Sequence, residues 1–219
     1  MTLSRPGPVT MVTGPEAPRR ANYHHGDLAA TLIAATVDLV AEKGPSGFSL
    51  REVARRAGVS PAAPSHHFGD ARGLLTAVAV QGFEYLDRSV GEAVQSVTVP
   101  ADRLRALAFA SVDIGLRHPG HVAVMFRPDL VDGSNEAFQE WSGKPLQRLG
   151  AVVAALAPHL DPEQVDAVTS TIWATLNGFV NLYTSTADRL DADPDLRRLV
   201  ATAVDVLHTG TIATDGAQR

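Results

Sequence analysis

Apolar residues recur along this chain at spacings of three and four, the period of helices that bury one face, and nowhere alternate in the two-residue rhythm of a half-buried strand. From Asp27 the stripe runs through Leu28, Leu32, Ala35, Leu39 and Val40 and stops at Gly44-Pro45, which predicts a first helix over approximately 27–43. A short second helix turns Val53, Ala54 and Ala57 inward and opens with a capping box: Ser49 caps the first turn while Glu52, three residues on, reaches back to the Ser49 amide. Gly58 stands where a left-handed residue ends such a helix, and Val59 packs back on it. Ser60 then caps a third helix whose first position is Pro61, where a missing N–H does no harm. Residues 49–68 therefore read helix, tight turn, helix.

Proline and glycine punctuate the remainder into a fourth helix over 70–97, a fifth over 101–117, a sixth over 120–127 and a seventh over 135–157. Asp161-Pro162 opens an eighth with Val165, Val168, Ile172, Leu176, Phe179 and Tyr183 on one broad face. Pro194 opens a ninth carrying Leu196, Leu199, Val200, Ala203 and Leu207. Residues 1–22 hold four prolines and two glycines with almost no periodic apolar positions, the pattern of a disordered tail. The expected fold is all-α: a three-helix unit over 23–80, a larger helical body over 81–210 and a short tail over 211–219.

Charge changes the picture more than composition does. The chain of 219 residues carries a net charge of −5, which on average disfavours a polyanionic partner. The average conceals an asymmetry: from Arg19 to Arg72 there are seven Lys/Arg against five Asp/Glu, and from Gly73 to Arg219 eleven against eighteen. A balance of +2 followed by one of −7 suits a small phosphate-contacting head on a body kept off the phosphates. The absence of cysteine excludes disulfides, thiolate nucleophiles and cysteine-bound zinc. No apolar run reaches the roughly 18–20 residues of a membrane span, and the first residues lack the apolar stretch of a signal peptide, so a cytoplasmic location and no membrane partner are expected.

The third helix shows small and polar side chains, Ala62, Ala63, Ser65 and His66, with Phe68 as its anchor. So shallow a surface can approach base-pair edges in a major groove. Arg51 and Arg55 share a face of the second helix and suit phosphate, while Arg56, four residues after Glu52, suits a surface ion pair as well as it suits phosphate. The run AEKGPSGFSLREVARRAGVSPAAP, followed by HHF and LL, resembles the N-terminal DNA-binding domain of the TetR/AcrR family of bacterial transcriptional regulators over residues 26–80. The resemblance implies that Ser49, Arg51, Ser60, Pro61, Ala62, Ala63, Ser65, His66, His67 and Arg72 meet double-stranded DNA. Two positions depart from the family pattern: Ser65 replaces a tyrosine and Ala71 a lysine, both of which touch phosphates in relatives, so Arg72 or His66 is the expected substitute. The body resembles a branch with a Trp-His-Gly signature; the run WATLNG keeps Trp173 and Gly178 and puts Asn177 in place of the histidine.

Asp113, His118, His121 and Asn177 lie within apolar helices, where burial costs free energy unless something bonds to them. A ligand is one such partner, and another helix is the plainer one. With Phe109, Met125, Phe126, Trp141, Trp173 and Phe179 they are the expected lining of a small-molecule cavity, ordinary core being the alternative for the aromatic side chains. Paired histidines at 24–25 and 66–67 project about 100° apart on a helix, without a carboxylate at zinc-like spacing, so neither metal nor cofactor is expected. No strand-borne nucleophile elbow is present, which argues against an enzyme. The broad face of Val165, Val168, Ile172, Leu176, Phe179 and Tyr183, together with Leu199, Ala203 and Leu207, is the expected homodimer interface, its alternative being burial within one subunit. These readings converge on a homodimeric repressor released from a palindromic operator by an unidentified small molecule. A ligand- or partner-binding helical protein with a weakened DNA head is the rival, and a histidine-dependent enzyme the more distant one.

Overall fold

In a computed structural model of the protein, which describes residues 25–184 and 194–213, every described regular element is an α-helix. Helices α1 (His25–Lys43), α2 (Leu50–Arg56) and α3 (Ala63–Phe68) form the head. Its core is Leu32, Ala35, Leu39 and Val53 with Leu74 of the following helix, and Phe48, Val59 and Phe68 pack around them. Helix α1 ends as the sequence indicates, with Gly44 at φ 73° and its N–H donated to the Val40 carbonyl at 2.9 Å.

Helix α4 (Ala71–Gln95) joins head to body and serves both cores. Leu74 points into the head, while Leu75, Val78, Phe83, Leu86 and Val90 are buried in the body. The body continues with α5 (Pro100–Arg117), α6 (Pro119–Met125), α7 (Glu136–Ser142), α8 (Lys144–Leu156), α9 (Pro162–Thr184) and α10 (Pro194–Ala213). Leu104, Leu107, Val112, Leu149 and Ile172 complete its interior. The part-buried bidentate pair of Arg148 on α8 with Asp87 on α4, at 2.9–3.0 Å, ties those two helices together.

Local chemistry corrects several sequence expectations. The single seventh helix over 135–157 is two helices, α7 and α8, parted at Gly143. Pro145 has no N–H to give the Trp141 carbonyl, so the ladder cannot run through. The third helix begins at Ala63 rather than Ser60: Pro64 likewise cannot donate to the Ser60 carbonyl, which takes the Ala63 N–H at 3.0 Å instead, and the α-ladder starts with His66 donating to Ala62 at 2.9 Å. Only half of the capping box forms. Ser49 Oγ accepts from the Glu52 N–H at 3.3 Å, but the Glu52 carboxylate turns to Lys43 of α1. The expected tail over 211–219 is helical as far as Ala213; the tail over 1–22, His24 and residues 214–219 lie outside the described residues.

The apolar face assigned to a dimer is largely interior. Ile172 and Leu176 are 2% and 3% exposed and belong to the body core, with Val165, Val168 and Phe179 packed against it. Helix α9 lies between α5 and α8, and that neighbourhood covers the face within one subunit. The side chains of Tyr183 and Leu207 lie outside the described residues. Ala203 is half-buried, and among the described residues the large apolar side chains of α9 and α10 that face outward are Leu182, Leu199 and Val206, at 67%, 44% and 65% exposure.

Candidate nucleic-acid interface and regulatory cavity

At the end of α2, Ala57 donates to the Val53 carbonyl at 2.8 Å and Val59 donates back to Ala54 at 3.0 Å. Gly58 between them has φ 67°, in the left-handed region. A Cβ there would meet nothing within 4 Å, so backbone conformation, rather than space, requires glycine. The turn sets α3 across α2 with Pro61, Ala62, Ser65 and His66 exposed and Pro64 buried. Ala63 is half-buried rather than fully outward, and Phe68 anchors the helix in the head core. His67 is exposed but lines an open groove with Ile33, Thr76, Val80 and Gln81, between head and body. Ser49 and Ser60 are both exposed, and Ser49 is already engaged as a cap.

The cations of the head divide by partner. Arg56 pairs with Glu42 of α1 at 2.8 Å, not with Glu52, and their hydrogen bond holds the Glu42 carboxyl below its ordinary pKa. The Lys43 ammonium does the same for Glu52. Arg55 is exposed and 3.7 Å from Glu52, while Arg51 is exposed with no acidic partner among the described residues. Arg72, expected to reach DNA, is used otherwise: Nε and Nη2 donate to the Val131 carbonyl at 2.9 and 2.7 Å. Thr76 Oγ1, one turn along, accepts from the Asp132 N–H at 2.8 Å and donates to the Arg72 carbonyl at 2.7 Å. The start of α4 is thereby clasped to the segment between α6 and α7.

A cavity of about 20 Å³ lies among α4, α5, α6 and α9. Of the ten expected lining residues it brings together six: His118, His121, Met125, Phe126, Trp173 and Asn177. The other four are elsewhere. Asp113 is exposed and ion-paired with Arg117, because α5 turns Ser111, Ile114 and Gly115 to the cavity and position 113 away from it. Phe109 and Phe179 are half-buried against the body core. Trp141 lies on α7 with the Lys144 ammonium 3.4 Å from its ring centre. Sequence reading missed Gly82, Leu86, Ser111, Ile114, Gly115, Val122 and Val180, and had given Leu176 to a dimer face. A signal existed in the two glycines, since glycine inside a helix costs about 0.5–1 kcal/mol relative to alanine and calls for a reason. Here it is close approach: a Cβ on Gly82 would lie 2.5 Å from Met125 Sδ, and one on Gly115 2.6 Å from Val180 Cγ1.

His121 is 4% exposed, with Nε2 2.9 Å from Gln81 Oε1. The rings of Tyr85 and His118 pack against it, with centres at 5.4 and 5.5 Å. Burial, and then the neighbouring His118, push its pKa down to about 4. His118 is lowered too, by burial and then by Arg117. His121 is therefore neutral at neutral pH, and Nε2 carries the proton donated to Gln81. Asn177 donates from Nδ2 to the Trp173 carbonyl at 2.9 Å. Ser111 Oγ and His121 Nδ1, both buried, have no hydrogen-bond partner.

Helix α6 touches both the cavity and the head. Its Gly120 sits against α1 so closely that a Cβ would be 2.4 Å from the Val37 carbonyl oxygen, and the adjacent His121 lines the cavity. Among the described residues no helix is long and apolar enough to cross a membrane.

Comparison with known proteins agrees with this division. Residues 32–78 match the family described as bacterial regulatory proteins, tetR family, and residues 104–207 the tetracyclin repressor-like C-terminal domain. The HTH-type transcriptional regulator BetI of Yersinia pestis (strain Pestoides F) is 43% identical over 88 residues, a match spanning 37% of this chain and 42% of that regulator. The chain thus spans less than half the length of the curated relatives it matches. A protein of unknown function from Rhodococcus sp. RHA1 has a solved structure 31% identical, covering 87% of this chain and 98% of that one with a TM-score of 0.71. The fold is also that of FadR from Bacillus subtilis, solved in complex with stearoyl-CoA, at 15% identity, 83% and 98% coverage and a TM-score of 0.67. With a helix-turn-helix head and a cavity-bearing helical body both matched, the chain belongs to the TetR family of bacterial regulatory proteins.

Proposed function

We propose that this protein is a homodimeric repressor that binds a palindromic operator through the exposed face of α3 and leaves it when a small molecule enters the body cavity. One observation carries the reading: α4 and α6 belong to the cavity wall and to the support of the head at once. A cavity of about 20 Å³ has room for little more than one water, whereas ligand sites run to about 300–1,000 Å³. A ligand must therefore part the helices around it. Moving α6 moves the seat of α1, and a ligand that favours the parted arrangement lowers operator affinity by its differential binding to the two states.

Two heads are needed because one short helix makes few contacts, and a two-fold axis places a pair in major grooves about 34–36 Å apart. The outward Leu182, Leu199 and Val206 support the surface of α9 and α10 as the site of that pairing. Small side chains at Pro61, Ala62 and Ser65 suit close approach to bases, and Arg51 and Arg55 suit phosphate. The test is enrichment of genomic fragments by the purified protein, followed by titration on the enriched site. An enriched imperfect palindrome, bound by two chains with affinity that falls with salt, supports the reading; absence of any enriched sequence overturns it.

A further inference from the structure

We infer that the effector is an uncharged, largely apolar molecule carrying a hydroxyl that bonds to both Ser111 and His121. The inference rests on the proposed regulatory reading and concerns the chemistry of its cavity. Among the described residues no Asp, Glu, Lys or Arg lines that cavity. Asp113 and Arg117, on the helix that supplies Ser111 and Ile114, pair with each other on the exposed side of α5. An ionised ligand would lose its hydration and find no counter-charge, which costs far more than apolar contact returns. Leu86, Ile114, Met125, Phe126, Trp173 and Val180 supply instead an aliphatic and aromatic lining for a hydrocarbon frame.

Two residues of that lining carry a buried polar atom with no hydrogen-bond partner among the described residues, Ser111 Oγ and His121 Nδ1, and are 7% and 4% exposed. Neither has a partner, although buried polar groups are as a rule hydrogen-bonded and each unmet one costs about 1–3 kcal/mol. A third such atom, Thr169 Oγ1, lies near Gly150 of α8 and not on the cavity. Of the other polar groups of the lining, the Asn177 amide nitrogen donates to Trp173, the half-buried His118 ring packs on Tyr85 and His121, and the His121 Nε2 proton is given to Gln81. That bond decides the tautomer. Nδ1 is left with a lone pair, an acceptor that needs a donor and repels a carboxylate, while the Ser111 hydroxyl can give or take. A ligand hydroxyl meets both demands, donating to Nδ1 and accepting from Ser111. An ether or ketone cannot donate, and a hydrocarbon leaves both groups unmet.

The test uses four probes of matched frame, para-propylphenol, its methyl ether, propylbenzene and para-propylbenzoate, titrated by calorimetry against the full-length protein and separately against its operator complex. The phenol is expected to bind about tenfold or more tighter than each of the others, the scale set by a buried acceptor left unmet. Ser111→Ala, which removes an unpartnered hydroxyl and so leaves folding intact, should weaken the phenol by about threefold yet leave it tighter than the hydrocarbon, because Nδ1 is still met. His121→Leu, which removes the acceptor itself, should bring the phenol to within about threefold of the hydrocarbon, with thermal melting to confirm that it folds. Equal binding of phenol and ether, equal or tighter binding of the benzoate, or no binding of the phenol overturns the inference. If the benzoate both binds and releases operator, regulation through the cavity stands and the assigned chemistry falls. If the phenol binds in the expected order but leaves operator affinity unchanged, the assigned chemistry stands and the regulatory reading falls.

Discussion

Replacing Arg72 by alanine separates two roles for one side chain, a phosphate contact or a clasp between head and body. In the structure its guanidinium spends two donors on the Val131 carbonyl, and Thr76 beside it holds the Asp132 N–H. Hydrogen bonds from charged groups contribute about 1.5–3 kcal/mol when buried. Arg72 is itself exposed, so about 1–2 kcal/mol is expected for Arg72→Ala after allowance for solvent. For a chain of this size that is a fall in Tm of roughly 2–8 °C. Thr76 is 2% exposed, and Thr76→Val strands the Asp132 N–H at a cost of about 1–3 kcal/mol. The double variant should cost less than the sum, because both bonds hold the same segment. The decisive measurement is operator affinity by fluorescence anisotropy over a series of salt concentrations. A clasp predicts a lowered Tm with the slope of log affinity against log salt unchanged. A phosphate contact on each of two heads predicts a slope shallower by about 1.8, at 0.9 per phosphate, with Tm unaltered. The second outcome would refute the clasp.

Ala62→Leu is expected to obstruct the major groove without lowering Tm, while the half-buried Ala63→Leu should also destabilise the head by about 1–3 kcal/mol; operator titration and melting of both variants check the register of α3. Ser65→Tyr should tighten operator and scrambled duplex by similar factors, since a phosphate contact reads no base. For His121, with a native pKa of about 4 against 6.5, the neutral form is the folded form, so its contribution is complete above pH 6.5 and is lost as pH falls from there to about 4. The loss amounts to about 3 kcal/mol, and the Tm of wild type should drop more steeply over that window than that of His121→Leu. Ile172→Asp should unfold the subunit because the residue is in its core, whereas Val206→Asp should leave it folded but monomeric by light scattering; a Val206→Asp dimer would place the interface away from that part of α10.

The helices and the helix-turn-helix were legible in the sequence because their causes are local. A 3.6-residue period, a left-handed glycine at Gly58 and a stop at Gly44 act within one or two turns, and the structure shows each of them. Where the sequence reading slipped on local structure, the missing element was also local: an amide that Pro64 and Pro145 do not have. The site was legible only in part. The places of His118, His121 and Asn177 at the cavity followed from polarity within apolar helices, a rule that failed for Asp113, and periodicity says only that a face is covered, not by what. It cannot tell whether Ile172 and Leu176 meet a second subunit or α5 and α8, nor whether Arg72 reaches phosphate or the Val131 carbonyl, 59 residues along the chain. Those choices rest on how α4, α6 and α9 cross. Crossing is set by close contacts at Gly82, Gly115 and Gly120 between residues far apart in sequence, and such contacts exist only once the helices have packed.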